Sequence, residues 1–328
     1  MIQIYNVNRR GFALLAVLLI ASICTPWLHA QSGRAFTFLD YPTDARALAL
    51  GRATLLHSHQ HQIYLNPGAF MDQDRHFSVG VTSDFFPLPE SKVGDKTYST
   101  ISLAARIHPN HALFAGFRFH GGYGYRTLLD QWGKQGKLVT PFDWTADIGY
   151  AIRLSYGLSL FATGGLLTTY NGQQGTYGAL FSLGANWQTQ LMLAGKVQEL
   201  NLALRLADVG PKVTYPSKDS FSLPTRLEME AELTVDLDVV HQLTPVVGAR
   251  YYFPNDNYSL FQAHMGLEYR YAGFIALRSG CLLGSNDSHW WSTGGGITYR
   301  GFDLQIGYAK HFKLSKANIW SATLGFNF

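Results

Sequence analysis

The sequence predicts an all-β protein, a transmembrane antiparallel β-barrel of about 14 strands with an N-terminal hatch segment. The main observation is that apolar and polar residues alternate along most of the chain after residue 75, which is the two-residue period of a strand with two different faces. The last such segment, Ile319–Phe328, ends on an aromatic residue, as expected of the strand that faces lipid and closes a bacterial outer-membrane barrel. A third observation is an export signal at the other end of the chain.

Residues 1–30 are predicted to be a signal peptide. Arg9 and Arg10 form a short basic region, and the apolar run Gly11–Cys24 follows. A cleavage region before Gln31 completes the pattern of a secretory signal. A membrane-spanning anchor is the alternative, but the apolar run is shorter than the ~20 residues that a bilayer requires. A lipid-anchored Cys24 is disfavoured because bulky Ile23 precedes it.

The composition excludes several classes of function. Removing residues 1–30 removes two arginines and no acidic residue, so the net charge falls from +4 to +2. A charge this small and dispersed does not predict a nucleic-acid partner. Cys281 is then the one remaining cysteine, so no internal disulfide is expected. Aromatic residues make up 14% of the chain and charged residues 15%, a balance that suits a wall with an apolar outer face and two aromatic girdles.

Residues 31–74 differ in character from the rest and are predicted to form a hatch in the lumen of the barrel. The segment Phe36–Phe70 lacks the two-residue alternation. Asp44–Leu50 predicts a short helix after Pro42, with Asp44 near its N-terminus and Gly51 at its end. Asn66-Pro67-Gly68 predicts a turn. The alternative to a hatch is a periplasmic tail.

Residues 75–328 are predicted to form the barrel. Strand Leu227–Asp238 is the clearest, because six apolar residues alternate with six polar ones. The inner faces carry charged side chains, which could form an acid–base cluster but are better explained as ion pairs across the lumen. The lumen-facing charges are predicted to be Arg205, Glu228, Glu230, Glu232, Arg250, Glu268, Arg270 and Arg278. The predicted strands are Arg75–Phe85, Thr97–Ile107, Ala112–His120, Asp143–Ser155, Leu158–Tyr170, Thr176–Gln188, Val197–Ala207, Thr225–Asp236, Leu243–Phe253, Leu260–Tyr271, Gly273–Leu282, Trp290–Tyr299, Phe302–His311 and Ile319–Phe328.

The remaining chemical motifs do not predict an enzyme, a cofactor or a metal. His57, His59 and His61 would share one face of a strand and could bind a metal there, but they are better explained as part of a polar loop. No G-x-S-x-G elbow is present. Gly294-Gly295-Gly296 lacks the lysine and the helix of a phosphate loop. A strand packed closely against its neighbour or against the hatch explains these glycines better.

Several sequence blocks, in order along the chain, resemble the PorV/PorQ family of outer-membrane proteins of the type IX secretion system. The first block is Phe38-Leu39, Pro42, Ala45-Arg46, Ala49-Leu50-Gly51 and Asn66-Pro67, where Gly68 replaces the usual alanine. Its hatch-motif residues are Pro42, Arg46, Gly51, Asn66 and Pro67. The later blocks are Leu206-Ala207-Asp208-Val209-Gly210-Pro211-Lys212-Val213-Thr214-Tyr215, Leu223-Pro224-Thr225-Arg226-Leu227, Gly266-Leu267-Glu268-Tyr269 and Ala276-Leu277-Arg278-Ser279-Gly280. These internal blocks are nearer to PorV than to PorQ.

The resemblance implies a non-enzymatic component of the type IX protein secretion system in the outer membrane of a Gram-negative, Bacteroidota-like cell. Its expected partners are the translocon and surface-attachment proteins, the C-terminal domains of secreted cargo, and outer-membrane lipids. The loop Tyr123–Pro141 and the turn Gly284–Ser288 are the candidate contact regions. The alternative is a wider relative, the FadL-type outer-membrane channel for hydrophobic solutes.

Overall fold

The computed structural model describes residues 36–328 except 58–59, 87–95, 127–135, 194, 256–257, 286–287 and 314–316. Its main body is a closed barrel of 14 antiparallel strands, which confirms the predicted fold class. The wall strands are β1 (Phe77–Phe86), β2 (Lys96–His108), β3 (His111–Gly121), β6 (Phe142–Arg153), β7 (Leu158–Tyr170), β8 (Gly175–Leu193), β9 (Lys196–Val209), β12 (Arg226–Asp236), β13 (His241–Asn255), β14 (Tyr258–Tyr271), β15 (Ile275–Gly284), β16 (Trp290–Tyr299), β17 (Phe302–His311) and β18 (Asn318–Asn327). The predicted signal peptide lies outside the described residues.

Four further strands are too short to belong to the wall. β4 (Tyr125–Arg126) pairs with β5 (Leu138–Val139), and β10 (Val213–Thr214) pairs with β11 (Ser220–Phe221). Each pair forms a two-stranded hairpin in a connection between wall strands. The predicted strands did not include either hairpin, because two-residue strands are too short to show a periodic pattern.

The barrel closes where its last strand pairs with its first. The register runs from Ser78 opposite Asn327 to Phe85 opposite Trp320. Closure leaves no free edge along the wall, as a spanning sheet requires. The described residues contain no helix that is long and apolar enough to cross a membrane.

The two faces of the wall have opposite chemistry. On β18, Trp320 is 56% exposed and Leu324 is 59% exposed. Thr323, whose side chain points to the opposite face of the strand, is 1% exposed. The exposed apolar face lies on the outside, where it contacts lipid, and the buried polar face lines the lumen. Aromatic pairs surround both ends of the wall, for example Tyr308 with Trp320 at 4.5 Å between ring centroids and Phe302 with Phe326 at 4.6 Å.

The two ends of the barrel have connections of different length. At the end that holds Phe77 and Phe328, the turns between strands have two to four residues. At the other end, the connections include residues 87–95, 122–141 and 210–225. Outer-membrane barrels have short periplasmic turns and longer extracellular loops. Phe77 and Phe328, the two ends of the barrel wall, therefore lie on the periplasmic side.

The hatch (residues 36–72) fills the lumen with three short helical segments. These are a 3₁₀ helix at Thr37–Asp40, α1 at Ala45–Ala49 and a second 3₁₀ helix at Pro67–Asp72. The predicted helix is confirmed, because Asp44 caps α1 by accepting a hydrogen bond from Arg46 N. Gly51 follows α1 with a φ of 78°, a left-handed conformation that glycine adopts at helix ends. The predicted turn at Asn66 is instead the capped start of the second 3₁₀ helix.

Candidate functional site: the hatch seat and its cavity

Arg46 anchors the hatch to two strands of the wall. Its Nε lies 2.8 Å from Glu268 Oε2 on β14, and its Nη2 lies 3.0 Å from Glu232 Oε1 on β12. Burial lowers the pKa of Arg46, but Glu268 and Glu232 outweigh this effect and hold the pKa above its ordinary value. A fully buried charge is stable only when it is paired in this way. Arg46 therefore stays charged and joins hatch to wall.

The wall also binds the backbone of the hatch through its carboxylates. Glu230 Oε2 accepts hydrogen bonds from Thr54 N at 2.9 Å and Leu55 N at 3.0 Å. Glu232 Oε2 accepts another from His57 N at 2.9 Å. The hatch residues Thr54, Leu55 and His57 lie in neither a helix nor a strand, so the inner carboxylates take the place of backbone partners.

Arginines of the wall bind hatch carbonyls in the complementary way. Arg205 donates to Leu65 O at 3.0 Å, and Arg250 donates to Arg52 O at 2.7 Å. Arg205 also pairs with Glu228. The inner carboxylates thus take part in ion pairs and backbone anchors, the interpretation that the sequence favoured over an acid–base cluster.

Glycines in the wall let α1 approach the strands closely. A Cβ built on Gly294 would lie 2.7 Å from Ala49 Cβ, and one on Gly307 would lie 2.6 Å from Ala45 O. A Cβ on Gly280 would overlap Gly51 N. Gly294 therefore packs against the hatch, which confirms the prediction for this glycine run.

Three residues of the hatch motif, Arg46, Gly51 and Asn66, contact the wall. Asn66 accepts a hydrogen bond from Ala69 N at 3.2 Å and donates to Asn186 Oδ1 on β8 at 2.8 Å. Pro67 is the first residue of the second 3₁₀ helix, a position where its missing N–H is not required. Gly51 contacts the wall as described above, and Pro42 lines a cavity.

The structure places all eight predicted lumen charges on the inner face of the wall. Glu268 accepts from Arg270 at 2.9 Å as well as from Arg278 and Arg46. Sequence reasoning missed a second group around Arg226, which pairs with Glu228 at 2.7 Å, with Asp40 of the hatch at 3.2 Å and with Asp208. It also missed Arg118 and Asp147, which share the inner face of β3 and β6 at 3.5 Å. Their alternation with Phe117 and Ile148 is the signal that could have identified them.

A cavity lies between the hatch and the wall on the side of β3, β6, β7, β8, β9 and β12. With the hatch seated its volume is about 40 Å³, enough for a few water-sized groups. One part of its lining is apolar and the other part carries paired charges. The apolar residues are Leu39, Pro42, Ala53, Ile63, Leu65, Leu180 and Ala207, and the charged ones are Asp40, Arg52, Arg118, Asp147, Arg205, Asp208 and Arg226.

Two buried polar atoms of the cavity lining are free to bind a solute. Thr43 Oγ1 and Arg52 Nε have no hydrogen-bond partner among the described residues. Both belong to the hatch. Burial, and then the adjacent charge of Arg250, lower the pKa of Arg52 to about 10. The cavity therefore combines an apolar part with charged and unpaired polar groups, and its lining is more polar than apolar.

The two described histidines of the H-x-H-x-H motif, His57 and His61, do not share a strand face. His57 and His61 lie in the irregular part of the hatch and not on a strand, and His59 lies outside the described residues. His61 is buried, with Ser102 Oγ at 3.0 Å and Thr82 Oγ1 at 2.8 Å from its two ring nitrogens. Burial lowers the pKa of His61 to about 3. Within the described part of the chain, no three His, Cys, Asp or Glu residues are placed to hold a metal ion.

These features define an outer-membrane β-barrel whose lumen is occupied by an N-terminal hatch. Comparison with protein-family models and with curated proteins found no match. Solved structures do match. The CymD monoaromatic hydrocarbon channel shares 12% identity at a TM-score of 0.57, with 90% of this chain and 99% of that one covered. The toluene transporter TbuX of Ralstonia pickettii shares 11% at a TM-score of 0.56, with 89% and 99% covered.

A third similar structure is a FadL homologue of Pseudomonas aeruginosa, with 10% identity, a TM-score of 0.52 and coverage of 87% of this chain and 98% of that one. Identities this low establish the fold alone. The protein is an outer-membrane barrel with a FadL-like fold.

Proposed function

We propose that the protein is an outer-membrane channel for small hydrophobic solutes with one polar end, and that the hatch closes it. The cavity between hatch and wall is the observation that carries this proposal. The apolar part of its lining suits a hydrocarbon body, and Thr43 Oγ1 and Arg52 Nε suit a polar group at one end of the solute. Proteins of similar fold are named as a monoaromatic hydrocarbon channel and a toluene transporter, which supports the hydrophobic character of the solute.

Passage requires the hatch to move. Wall glycines contact α1, and wall carboxylates hold the hatch backbone between Thr54 and His57. A solute in the cavity contacts hatch residues on one side and wall residues on the other. Binding there can shift the equilibrium between a closed and an open hatch only if the solute has a higher affinity for the open arrangement.

Uptake by whole cells tests the channel. Cells that lack other outer-membrane channels for hydrophobic solutes are supplied with radiolabelled toluene and, separately, with radiolabelled oleate. Expression of the protein should raise the uptake of at least one probe. Ala53→Phe on the hatch and Ala207→Phe on β9, which are 2% and 1% exposed, should fill the cavity and abolish the increase. Ile148→Phe on the lipid face, where Ile148 is 73% exposed, is the matched control. Equal uptake by the filled variants and the control would refute the channel.

A second candidate function is a component of the type IX protein secretion system that binds cargo, shuttles it or anchors it at the surface. One observation favours it: a lumen held shut by buried ion pairs such as Arg46 with Glu232 and Glu268 suits a scaffold better than an open pore. The predicted partners are the translocon, the attachment proteins and the C-terminal domains of cargo. Purification from native outer membrane in mild detergent distinguishes the two. Recovery of a very large translocon subunit supports secretion, and recovery of the barrel alone with bound lipid supports the channel.

A further inference from the structure

The hairpin of β8 and β9 extends beyond the wall on the periplasmic side. Strand β7 begins at Leu158, opposite Trp187 of β8. Trp187 belongs to the aromatic residues of this end and donates through its indole N–H to Tyr156 O at 3.1 Å. Below this level β8 continues to Leu193, which pairs with Lys196 of β9. The predicted strand ended at Gln188, so the extension is a feature that the sequence pattern did not show.

One edge of this extension is covered and the other is open. On the β9 side, β12 pairs as far as Thr234 opposite Glu199, and Gln198 accepts a hydrogen bond from Asp236 N at 2.7 Å. On the β8 side, the last backbone bond runs from Gln188 N to Gly157 O at 2.9 Å. Backbone groups alternate between the two edges of a strand. The N–H and C=O groups of Gln190 and Met192 therefore point away from β9, where no strand of the described chain pairs with them.

The side chains of the open edge give no protection against pairing. Residues 189–193 are Thr-Gln-Leu-Met-Leu, without charge or proline. Met192 is 67% exposed and Leu193 is 41% exposed, and because they are consecutive they lie on opposite faces of the strand. Val197, opposite Met192, is 53% exposed. Proteins normally protect exposed edge strands with charges, prolines or a covering element. Because this edge has neither charges nor prolines, a covering element is expected to protect it.

We propose that this edge, residues 189–193, is a docking site for an extended segment of a periplasmic protein, which adds to the sheet as a strand beside β8. The open N–H and C=O groups require a backbone partner, which lipid does not provide. The segment would carry apolar side chains on both faces, to cover Met192 on one and Leu193 on the other, and its neighbour above would be the turn at Tyr156, which is 94% exposed.

A second copy of the chain does not fit the same edge. Barrel strands are inclined to the barrel axis by roughly 35–45°. Two copies in one membrane are related by an axis along the membrane normal, so their β8 strands would cross at a large angle and could not form a ladder. The inference concerns a periplasmic partner and is independent of which solute the lumen transports.

Site-specific crosslinking in cells tests the docking site. A photoreactive residue, p-benzoylphenylalanine, replaces Tyr156 beside the edge and, in a control, replaces Arg300 in another periplasmic turn. We expect an adduct with a periplasmic protein at position 156 and none at position 300. Met192→Pro removes the N–H that points to the open side and should abolish the adduct. Met192→Val keeps the N–H and should retain it.

Amide hydrogen exchange provides an independent readout. The amides of Gln190 and Met192 should exchange at least tenfold more slowly in native outer membranes than in the purified barrel. As a control for correct assembly, Met192→Pro and Met192→Val should show the same uptake and the same heat-modifiable migration. Three results would overturn the proposal: an adduct that survives Met192→Pro, an adduct that contains only peptides of this chain, or equal exchange in native membranes and in the purified barrel.

Discussion

Removal of Arg46 should release the hatch. In Arg46→Ala, Glu268 keeps Arg278 and Arg270, whereas Glu232 loses its guanidinium and keeps the amide of His57. Breaking a buried ion pair by removing one partner costs about 3–5 kcal/mol. A cost of about 3 kcal/mol corresponds to roughly a hundredfold rise in the population with an open hatch, since 1.4 kcal/mol is a factor of about ten.

Thiol labelling measures this population. Ala53→Cys, at a site that is 2% exposed, is introduced in a Cys281→Ser background, and its reaction with a maleimide reports the open hatch. Labelling should be about a hundredfold faster with Arg46→Ala, from the free energy above. Arg270→Ala is the control, because Arg270 binds Glu268 but not the hatch. Adding Glu232→Gln to Arg46→Ala should restore part of the protection. A labelling rate unchanged by Arg46→Ala would refute the reasoning.

Three further predictions use the same labelling or the migration of unheated and boiled protein on gels. Gly280→Val should prevent seating of the hatch, because a Cβ there overlaps Gly51 N, and normal protection of Ala53→Cys would contradict it. Leu233→Arg, on the outer face of β12, should impair assembly by about 2–4 kcal/mol if it lies near the bilayer midplane and by less near an interface; unchanged heat-modifiable migration would contradict the outer placement. Burial lowers the pKa of His61 to about 3, so the neutral imidazole stabilises the seated hatch above pH ~6.5 and that stability is lost as the pH falls toward 3. The ratio of this labelling rate to that of a fully exposed cysteine, which corrects for the smaller thiolate fraction at low pH, should therefore be higher at pH 5 than at pH 7, and His61→Asn should remove the difference.

Residues that repeat with the strand period were predictable. Each wall strand has one lipid face and one lumen face, so the alternation alone predicts the class of fold, the strand count and the inner position of Glu228, Glu230 and Glu232. The short helix at Ala45–Ala49 was predictable too, because Asp44 and Gly51 are local end signals. The β4–β5 and β10–β11 hairpins and the lower end of β8 were not, because their pairing depends on neighbours distant in sequence or on strands too short to show a period.

The sequence by itself determined the architecture of this protein, because lipid outside and polar groups inside impose a two-residue pattern that can be recognised without coordinates. Only the tertiary structure decided which two carboxylates hold Arg46, which glycines admit α1, and that a cavity remains beside Thr43 and Arg52. These contacts join residues up to 278 positions apart, as between Ala45 N and Thr323 Oγ1. They depend on the register of the barrel and on the path of the hatch within it, and no local pattern in the sequence records either of these.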